Sequence, residues 1–502
     1  MQRRVRTIEQ TFPAGSDGAL RALEPRTDLV HEEAAGDGEF VQRAGPFHHY
    51  RRTVLTDDGR TTERIEYLLS IPWWGWLFRW PVHRALRHRR PADRPTAWWA
   101  PPDLLVERQA NALALLAMSS AVAAFANTLF TQTATFAADD FGVAESGLGL
   151  AGAVVRLGIV IALPFAIVAD RIGRRRTIIL LSWLTPVLCA LGAAAPSFVL
   201  LTASQTIARP IGLALSLLTI VAAAEDMPRN SRAFALSVLA MASGLGAGIA
   251  VGALRLADLG PSGWRYVYLV ALMWLPVAVS LTRRLDETRR FETVHRIAPR
   301  MNRRRLALVA AVAFASNLFV APASYFQNTY LDKVRGYSAG GIALFTLATG
   351  TPASLGLVVG GRLADTIGRH RLIAICTPIS TTFLVGAFFV DGWAMWACAL
   401  LGGFTAAAAY PAYSVYRAEM FPTGNRGAAN GLITATALLS GSIGVLVVGV
   451  LRDRGTSFGS LMVVFGLGQL FAGWLAVRHF PESAHLELEQ LNPEDPVIVD
   501  PT

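Results

Sequence analysis

The sequence has little charge, and its long apolar stretches contain almost none. Asp, Glu, Lys and Arg make up 16% of its 502 residues, against about 25% in a typical soluble domain. Of the 46 basic residues only Lys333 is a lysine, and it stands in Asp-Lys-Val. A phosphate-binding loop needs the lysine of a Gly-Lys-Ser/Thr motif, so the sequence excludes ATP binding of that kind.

Residues that carry acid, base or metal chemistry are missing from the apolar stretches. No Asp or Glu occurs inside them, so the buried carboxylate on which many proton-coupled carriers depend is absent. The nine histidines lie outside the apolar cores, which argues against an embedded metal site or proton relay. The three cysteines lie inside apolar stretches without a CxxC spacing, which excludes a disulfide framework. We therefore expect no enzyme, no metal and no cofactor.

Twelve apolar runs of roughly 20 residues follow one another from residue 110 onward. Each is long enough to cross a hydrocarbon core of about 30 Å as a helix. The sequence therefore predicts an all-α polytopic membrane protein with twelve transmembrane helices. The predicted spans are 110–136, 146–169, 177–195, 197–224, 233–256, 265–282, 305–327, 339–361, 372–390, 393–416, 427–450 and 457–479.

The arginines predict how these helices are oriented. Alternate loops carry nearly all of them, and basic residues in short loops mark the cytoplasmic side. Both termini and the central linker are then cytoplasmic, in a cell (inner or plasma) membrane. Because the net charge of +10 lies in these loops, it gives no reason to expect nucleic acid. The predicted regions are a cytoplasmic extension 1–109, a first half 110–282, a linker 283–304, a second half 305–480 and a tail 481–502.

The extension before residue 110 differs in character from the rest. Residues 1–30 contain no apolar segment of the signal-peptide type. Residues 47–71 alternate around the turn dipeptide Asp58-Gly59, which predicts a β-hairpin. The following Trp- and Arg-rich stretch suits a helix lying on anionic lipid at the membrane surface. The alternative is a small soluble cap packed on the cytoplasmic loops.

An internal repeat divides the membrane region into two equivalent parts. Three markers recur after 195, 194 and 195 residues. A constant spacing of this kind indicates duplication, as in many transporters. The markers are an Asp-x-x-Gly-Arg turn at Asp170 and Asp365, a Glu-x-x-Pro-x-x-x-Arg motif at Glu225 and Glu419, and a Glu-Thr/Ser pair at Glu287 and Glu482.

Over residues 110–490 the chain resembles the major facilitator superfamily. The motif Asp-Arg-Ile-Gly-Arg-Arg-Arg at 170–176 is similar to the family's hallmark loop, and Gly361 supplies the opening glycine of the second copy. The repeated loops are similar to the sugar-porter and metabolite-symporter branch. The resemblance implies two six-helix halves that rock against each other, a monomer and a small-molecule substrate. Those branches usually have Arg where this chain has Gln205 and Gly where it has Arg209, so neither a sugar nor a drug assignment is carried over.

Two arginines lie deep in the predicted spans. Arg209 is 16 residues before Glu225, or about 24 Å along a helix, and Arg156 is 14 residues before Asp170, or about 21 Å. With no acidic residue in the spans, their natural partner is a substrate anion. The alternative is that they bind backbone carbonyls and lock the first half together. The remaining predicted substrate-binding residues are polar side chains on helices expected to line the cavity: Gln205, Asn127, Gln132, Asn317, Gln327 and Tyr410.

The charged loops are expected to control opening. In the resembled family such turns hold the two halves together when the cytoplasmic side is closed, although the arginines could simply set orientation. By contrast, Gly244, Gly248 and Gly252 are expected to be close-packing positions. The predicted gating residues are Asp170, Gly173, Arg174, Asp365, Gly368, Arg369, Glu225, Arg232, Glu419 and Arg426.

The function predicted from the sequence is transport of a small organic anion or metabolite by alternating access. Two alternatives remain at this point. One is a membrane sensor that keeps this fold and signals through its N-terminal extension. The other is a sugar or drug carrier.

Overall fold

The computed structural model describes residues 5–57, 59–89, 97, 99–101, 103–158, 173–228, 231–287, 301–421 and 426–482. The first hundred residues form a domain built on a five-stranded antiparallel sheet with strand order β1-β5-β4-β3-β2. Its elements are β1 (Arg6–Pro13), α1 (Asp17–Leu23), β2 (His31–Gly36), β3 (Glu39–Ala44), β4 (Phe47–Asp57), β5 (Arg60–Leu69) and α2 (Arg79–Arg87).

The hairpin predicted from the alternating sequence is confirmed. Strands β4 and β5 pair from Phe47 to Asp57, and Gly59 in the turn takes the left-handed φ of +74°. Because the pattern places every second side chain on one face, Tyr50 and Ile65 enter a small apolar core. Helix α2 covers that core with Val82 and Leu86. Within the Trp- and Arg-rich stretch, helix α2 therefore packs the face that carries Val82 and Leu86 on the sheet.

A buried ionic cluster completes the domain. Arg52 is fully buried, and its guanidinium donates to Glu32, to Glu63 and to the carbonyl oxygens of Ala22 and Glu24. A buried charge is tolerated when its hydrogen bonds are satisfied in this way.

The membrane region is a bundle of long helices. Its elements are α3 (Glu107–Asp140), α4 (Glu145–Leu157), α5 (Arg174–Leu191), α6 (Phe198–Asp226), α7 (Arg232–Ala253), α8 (Trp264–Arg284), α9 (Arg303–Lys333), α10 (Ala339–Ala353), α11 (Leu355–Thr366), α12 (Arg369–Gly386), α13 (Gly392–Glu419), α14 (Arg426–Asp453) and α15 (Phe458–His479).

Ten helices in the described part of the chain are long and apolar enough to cross a membrane by themselves. The other two predicted spans correspond to α4, which is followed by residues outside the described ranges, and to α12, which begins with Arg369 and Arg371. Helices α10 and α11 share one span and meet at Ser354, next to Pro352. The fold is thus the predicted pair of six-helix halves, with α3–α8 in the first and α9–α15 in the second.

The halves pack against each other along two helix pairs. Helix α4 lies on α14, and α7 with the short 3₁₀ turn Leu254–Leu259 lies on α10. At the first pair the backbones come very close, because a Cβ added at Gly149 would lie 2.8 Å from the carbonyl oxygen of Val445. Small residues are what permit such an approach between membrane helices.

The expected close-packing glycines of α7 are the wrong ones. Among the described residues, no atom lies within 4 Å of a Cβ added at Gly244 or Gly252, and the nearest atom to Gly248 is 3.9 Å from an added Cβ. The tight position is Gly246, where a Cβ would collide with the backbone of Ala121 on α3. The four-residue spacing in the sequence could not show which face of α7 meets α3.

Candidate functional site

Arg156 of α4 and Arg209 of α6 come together near the middle of the bundle. They are close enough to interact electrostatically with each other and with Tyr325 of α9. The Nη1 atom of Arg156 lies 3.4 Å from the position of an added Cβ at Gly441 on α14. Arg156 therefore reaches from the first half to the second.

Neither guanidinium is neutralised within the part of the chain that the structure describes. The Nε atoms of Arg156 and Arg209 are buried and have no hydrogen-bond partner, and no described Asp or Glu forms an ion pair with either residue. Both side chains are only partly buried, so part of each faces open space. Among the described residues, neither guanidinium donates a hydrogen bond to a backbone carbonyl, so the alternative that the arginines bind carbonyls has no support there.

Tyr325 is a member of this group that the sequence reasoning missed. Its hydroxyl donates to the carbonyl oxygen of Leu148 on α4 at 3.0 Å, and its ring packs against Gly152, where a Cβ would lie 2.5 Å from the ring. This contact joins the two halves directly beside the arginines. An aromatic residue inside an apolar run carries no sequence signal that separates it from the packing residues around it.

Asn127 and Asn317 are predicted binding residues that lie against glycines near the arginines. The Asn127 Oδ1 atom is buried without a partner and lies 3.4 Å from an added Cβ at Gly212, one turn after Arg209. The carbonyl oxygen of Asn317 faces Gly441, the same glycine that Arg156 approaches. The Asn317 side chain itself donates to Ala313 in its own helix.

The other predicted binding residues lie elsewhere. Gln205 is 1% exposed and packs against Gly192 and Tyr268 inside the first half. Gln327 donates to Thr346 and lines a separate apolar cavity of the second half. Tyr410 is 59% exposed. Gln132 accepts a hydrogen bond from Asn328, which makes it part of a contact between the halves.

We name the end of the bundle that carries residues 141–144 and 454–457 the opposite end, because it lies opposite the arginine-rich starts of α5 and α12. Here the halves are joined by hydrogen bonds and ion pairs that cross between them. Thr135 bonds to Thr329 at 2.8 Å, and Asn328 bonds to Gln132 at 3.0 Å. The cross-half ion pairs are Lys333 with Asp139 at 2.8 Å and Arg452 with Glu145 at 2.9 Å.

Two carboxylates at the opposite end form a repeat-related pair of closing contacts. Asp258, which follows α7, accepts hydrogen bonds from the backbone N–H groups of Ala339 and Gly340 at the start of α10, at 2.8 and 2.7 Å. Asp453, 195 residues later, accepts from the N–H of Ser146 at the start of α4 at 3.1 Å. A carboxylate at a helix N-terminus binds its free N–H groups and its positive dipole end. Each half therefore caps a helix of the other.

Helices α5 and α12 begin at the other end of the bundle, which we name the arginine-rich end. Gly173 and Gly368 precede these helices with φ of +102° and +94°. Glu482 accepts from the N–H groups of Arg369 and His370 at 3.0 and 2.9 Å, and Glu287 accepts from that of Arg175 at 3.0 Å. These repeat markers thus cap helices within their own halves.

The predicted gating residues are only partly visible at this end. Asp170 lies outside the described residues, and only the backbone is described for Asp365, Glu225, Arg232, Glu419 and Arg426. Arg369 is buried in the second half, with its guanidinium 6.0 Å from the ring centre of Tyr416. Arg174 is the first residue of α5. A latch that holds the halves together here stays a prediction for the state closed at this end.

Comparison with known proteins identifies the family. The model of the Major Facilitator Superfamily matches residues 116–348 and 306–497, which together cover most of the chain and both halves. The chain belongs to the major facilitator superfamily. It thus belongs to a superfamily of multi-pass membrane transporters, and the predicted resemblance is confirmed.

Curated superfamily relatives are similar over part of their length. An uncharacterized transporter of this type, YtbD from Bacillus subtilis, is 24% identical over 51% of this chain and 66% of its own length. The fosmidomycin resistance protein of Escherichia coli is 25% identical over 40% of this chain and 51% of its own. The cis,cis-muconate transport protein of Acinetobacter baylyi is 26% identical over 52% and 67%. The matches thus span only half to two thirds of these superfamily relatives.

Solved structures of the superfamily share the fold. The E. coli xylose transporter in an inward-open conformation has a TM-score of 0.61 at 16% identity, over 76% of this chain and 98% of that one. A bacterial homologue of the human lysosomal transporter Spinster, in an inward-facing unoccupied conformation, has a TM-score of 0.60 at 16% identity, over 74% and 96%. At this level of identity, the similarity between this chain and these structures concerns the fold alone.

Proposed function

We propose that this superfamily member transports a small organic anion by alternating access, with Arg156 and Arg209 as the groups that bind it. The observation that carries the proposal is the pair of mid-bundle guanidiniums with buried, unpartnered Nε atoms. A single arginine at this depth costs about 2.5–3.5 kcal/mol on the insertion scale, and such residues mark functional sites. An anion between the two would offset both their desolvation and their mutual repulsion.

The chemistry of the pair favours a carboxylate or another oxyanion. A guanidinium is planar and donates paired hydrogen bonds to two oxygens of one anion. Asn127 adds an amide beside it, while Tyr325, whose hydroxyl proton is donated to Leu148, joins the two halves there. Two guanidiniums on different helices suit an anion with two charged groups better than a neutral sugar.

Transport by this site requires access from one end at a time. The crossing contacts described above close the opposite end, so the substrate would enter or leave through the arginine-rich end in this conformation. We propose that the arginine-rich end is cytoplasmic, since basic loops stay on that side of an inner or plasma membrane. Because Arg156 faces Gly441 of the other half, an anion bound to it would contact both halves, as a substrate that promotes their rocking must.

The superfamily relatives support this proposal only in part. One is named for cis,cis-muconate, an organic anion, and a fold neighbour with a TM-score of 0.57 is the human organic anion transporter MFSD10. Others are named for fosmidomycin resistance and xylose. The arginine pair, and not the relatives, is the reason for choosing an anion.

The test is the binding of cis,cis-muconate and a panel of mono- and dicarboxylates to purified wild type, Arg209→Lys and Arg209→Gln. Lysine keeps the charge but loses the planar fork, so the affinity should fall by about 1–3 kcal/mol, the range for a charge-assisted hydrogen bond. Glutamine should weaken binding further. Isothermal titration gives the affinity, and thermal unfolding without ligand shows that each variant is folded.

Ser204→Ala is the matched control on the same helix. The Ser204 hydroxyl donates to Leu201 and accepts from the side chain of Gln205, which is buried inside the first half, so its loss should leave anion affinity unchanged. If Arg209→Gln binds its carboxylate as tightly as wild type, or if only neutral sugars or cations bind, the anion proposal is wrong and Arg209 has a structural role.

A further inference from the structure

A group of large apolar side chains lies on the surface of the N-terminal domain. We name Trp73, Trp76, Leu77 and Trp80 the aromatic edge. Trp76 is 66% exposed, Trp80 68% and Leu77 51%. Exposed apolar side chains are expected on the membrane bundle, but these residues lie outside it. On a domain outside the bundle, a patch of exposed apolar side chains marks an interaction site.

The segment that carries the aromatic edge is attached to the first membrane helix through the neighbouring Trp74. The indole N–H of Trp74 donates to the carbonyl oxygen of Ala114 on α3 at 3.1 Å. Ala114 is seven residues into α3, or about 10 Å along its axis. A second contact joins His48 to Glu107, the first residue of α3. Because the predicted first span begins at residue 110, these contacts lie near the membrane entry of α3, where tryptophan side chains concentrate.

The backbone holds two neighbouring tryptophans in different surroundings. Trp73 has a φ of +67°, the only positive φ at a residue other than glycine in the described chain. This conformation is rare for a bulky residue. It allows Trp74 to bind α3 while Trp73 stays exposed.

Arginines line the same surface. Arg79, Arg84 and Arg87 on α2 are exposed, and the guanidinium of Arg84 lies 5.4 Å from the ring centre of Trp80. The opposite face of α2 is occupied by Val82 and Leu86 in the domain core. No Asp or Glu occurs between residues 71 and 92. The exposed face of this segment is therefore both aromatic and cationic.

We propose that the aromatic edge inserts into the headgroup region of the bilayer leaflet at the arginine-rich end, and that Arg79, Arg84 and Arg87 bind anionic lipid headgroups there. The partner is the protein's own membrane. Aromatic rings and long cationic side chains on one face are the combination that binds an anionic interface. The domain is then fixed at two sites, through Trp74 to α3 and through the edge to lipid.

The test compares two exposed leucines of the same domain in the full-length protein. Single cysteines replace Leu77 on the edge or Leu55 on β4, which is 69% exposed, after the three native cysteines are replaced. Each variant carries a nitroxide and is placed in nanodiscs of phosphatidylcholine alone or of equal parts phosphatidylcholine and phosphatidylglycerol. The ratio of relaxation by oxygen to relaxation by a water-soluble nickel complex measures depth.

At Leu77→Cys the oxygen-to-nickel ratio should be several-fold higher than at Leu55→Cys, and higher with phosphatidylglycerol than without it. Replacing Arg79, Arg84 and Arg87 by Gln should remove the difference between the two lipids. An unchanged nitroxide spectrum at residue 55 shows that the domain is still folded.

Equal, water-like ratios at both positions would overturn the membrane assignment and indicate a protein partner for the edge. A high ratio at Leu77→Cys that is the same in both lipids, with or without the arginines, would overturn the headgroup contact.

Discussion

Gly173 and Gly368 show how single residues set the geometry of the arginine-rich end. Each has a left-handed φ that glycine adopts at low cost. Each also lies against a capping carboxylate, since a Cβ at Gly173 would be 2.5 Å from Glu287 Oε2 and one at Gly368 would be 3.0 Å from Glu482 Oε2. The glycine of the repeated turn is therefore needed for the conformation and for the cap together.

Gly173→Ala should destabilise the protein more than Gly455→Ala. Both glycines have positive φ, at +102° and +88°, but no atom lies within 4 Å of an added Cβ at Gly455. Both substitutions introduce backbone strain of about 1–3 kcal/mol, while only Gly173→Ala also displaces Glu287 and loses a cap of about 1 kcal/mol. Thermal unfolding in one detergent measures the difference, and equal melting temperatures would contradict it.

At the scale of elements, the carboxylates Asp258 and Asp453 make the closing contacts of the opposite end symmetric. Asp258 lies just after the fifth helix of its half, Asp453 is the last residue of the fifth helix of the other, and each caps a helix of the opposite half. Because a cap exists only while the two helices touch, it stabilises this conformation and not the one open at the opposite end. Two conformations of a transporter differ by a few kcal/mol, so single hydrogen-bonded caps can shift their populations.

Asp258→Asn and Asp453→Asn should each raise the population open at the opposite end. Loss of about 1 kcal/mol of capping energy corresponds to roughly a fivefold change. The reporter is a cysteine replacing the buried Thr329, which contacts Thr135 across the closed seam. Its labelling rate with a membrane-impermeant thiol reagent is measured with the native cysteines removed.

Asp391→Asn is the control for these variants. Asp391 lies near the same end, its side chain is 86% exposed, and its pairing with Arg335 is within the second half. Labelling of the Thr329 reporter should not change in this variant. An unchanged rate in both cap variants would show that the caps do not hold the end closed.

At the scale of the whole molecule, the N-terminal domain and the transport bundle have separate cores. The domain packs around Phe47 and Ile65, whereas the arginine pair and the closing contacts lie within residues 107–482. Because the cores are separate, the domain can be removed to test whether the bundle transports without it.

Removal of residues 1–104 should leave solute flux in place. Flux of a labelled carboxylate bound by the wild type, measured in proteoliposomes, should continue because the binding and closing residues are retained. Loss of the Trp74 contact to α3 should lower thermal stability modestly, by about 1 kcal/mol for one hydrogen bond. If the truncated protein is folded and binds the carboxylate but neither it nor the wild type shows flux, the sensor alternative is favoured.

The sequence by itself determined the twelve spans, the duplication, the hairpin of the extension and the two deep arginines. These depend on local properties: the length of an apolar run, a period of two, a constant spacing, and the cost of a charge inside a span. They can be read without knowing which helices touch.

The tertiary structure decided which residues meet. Helix packing brings Tyr325 to Arg156 and Arg209, turns Gln205 into the first half, and selects Gly246 instead of its neighbours. It also joins Asp453 to Ser146, 307 residues away. Such pairings depend on the rotation of each helix about its axis and on the approach of the two halves, and both arise from close packing across the whole bundle.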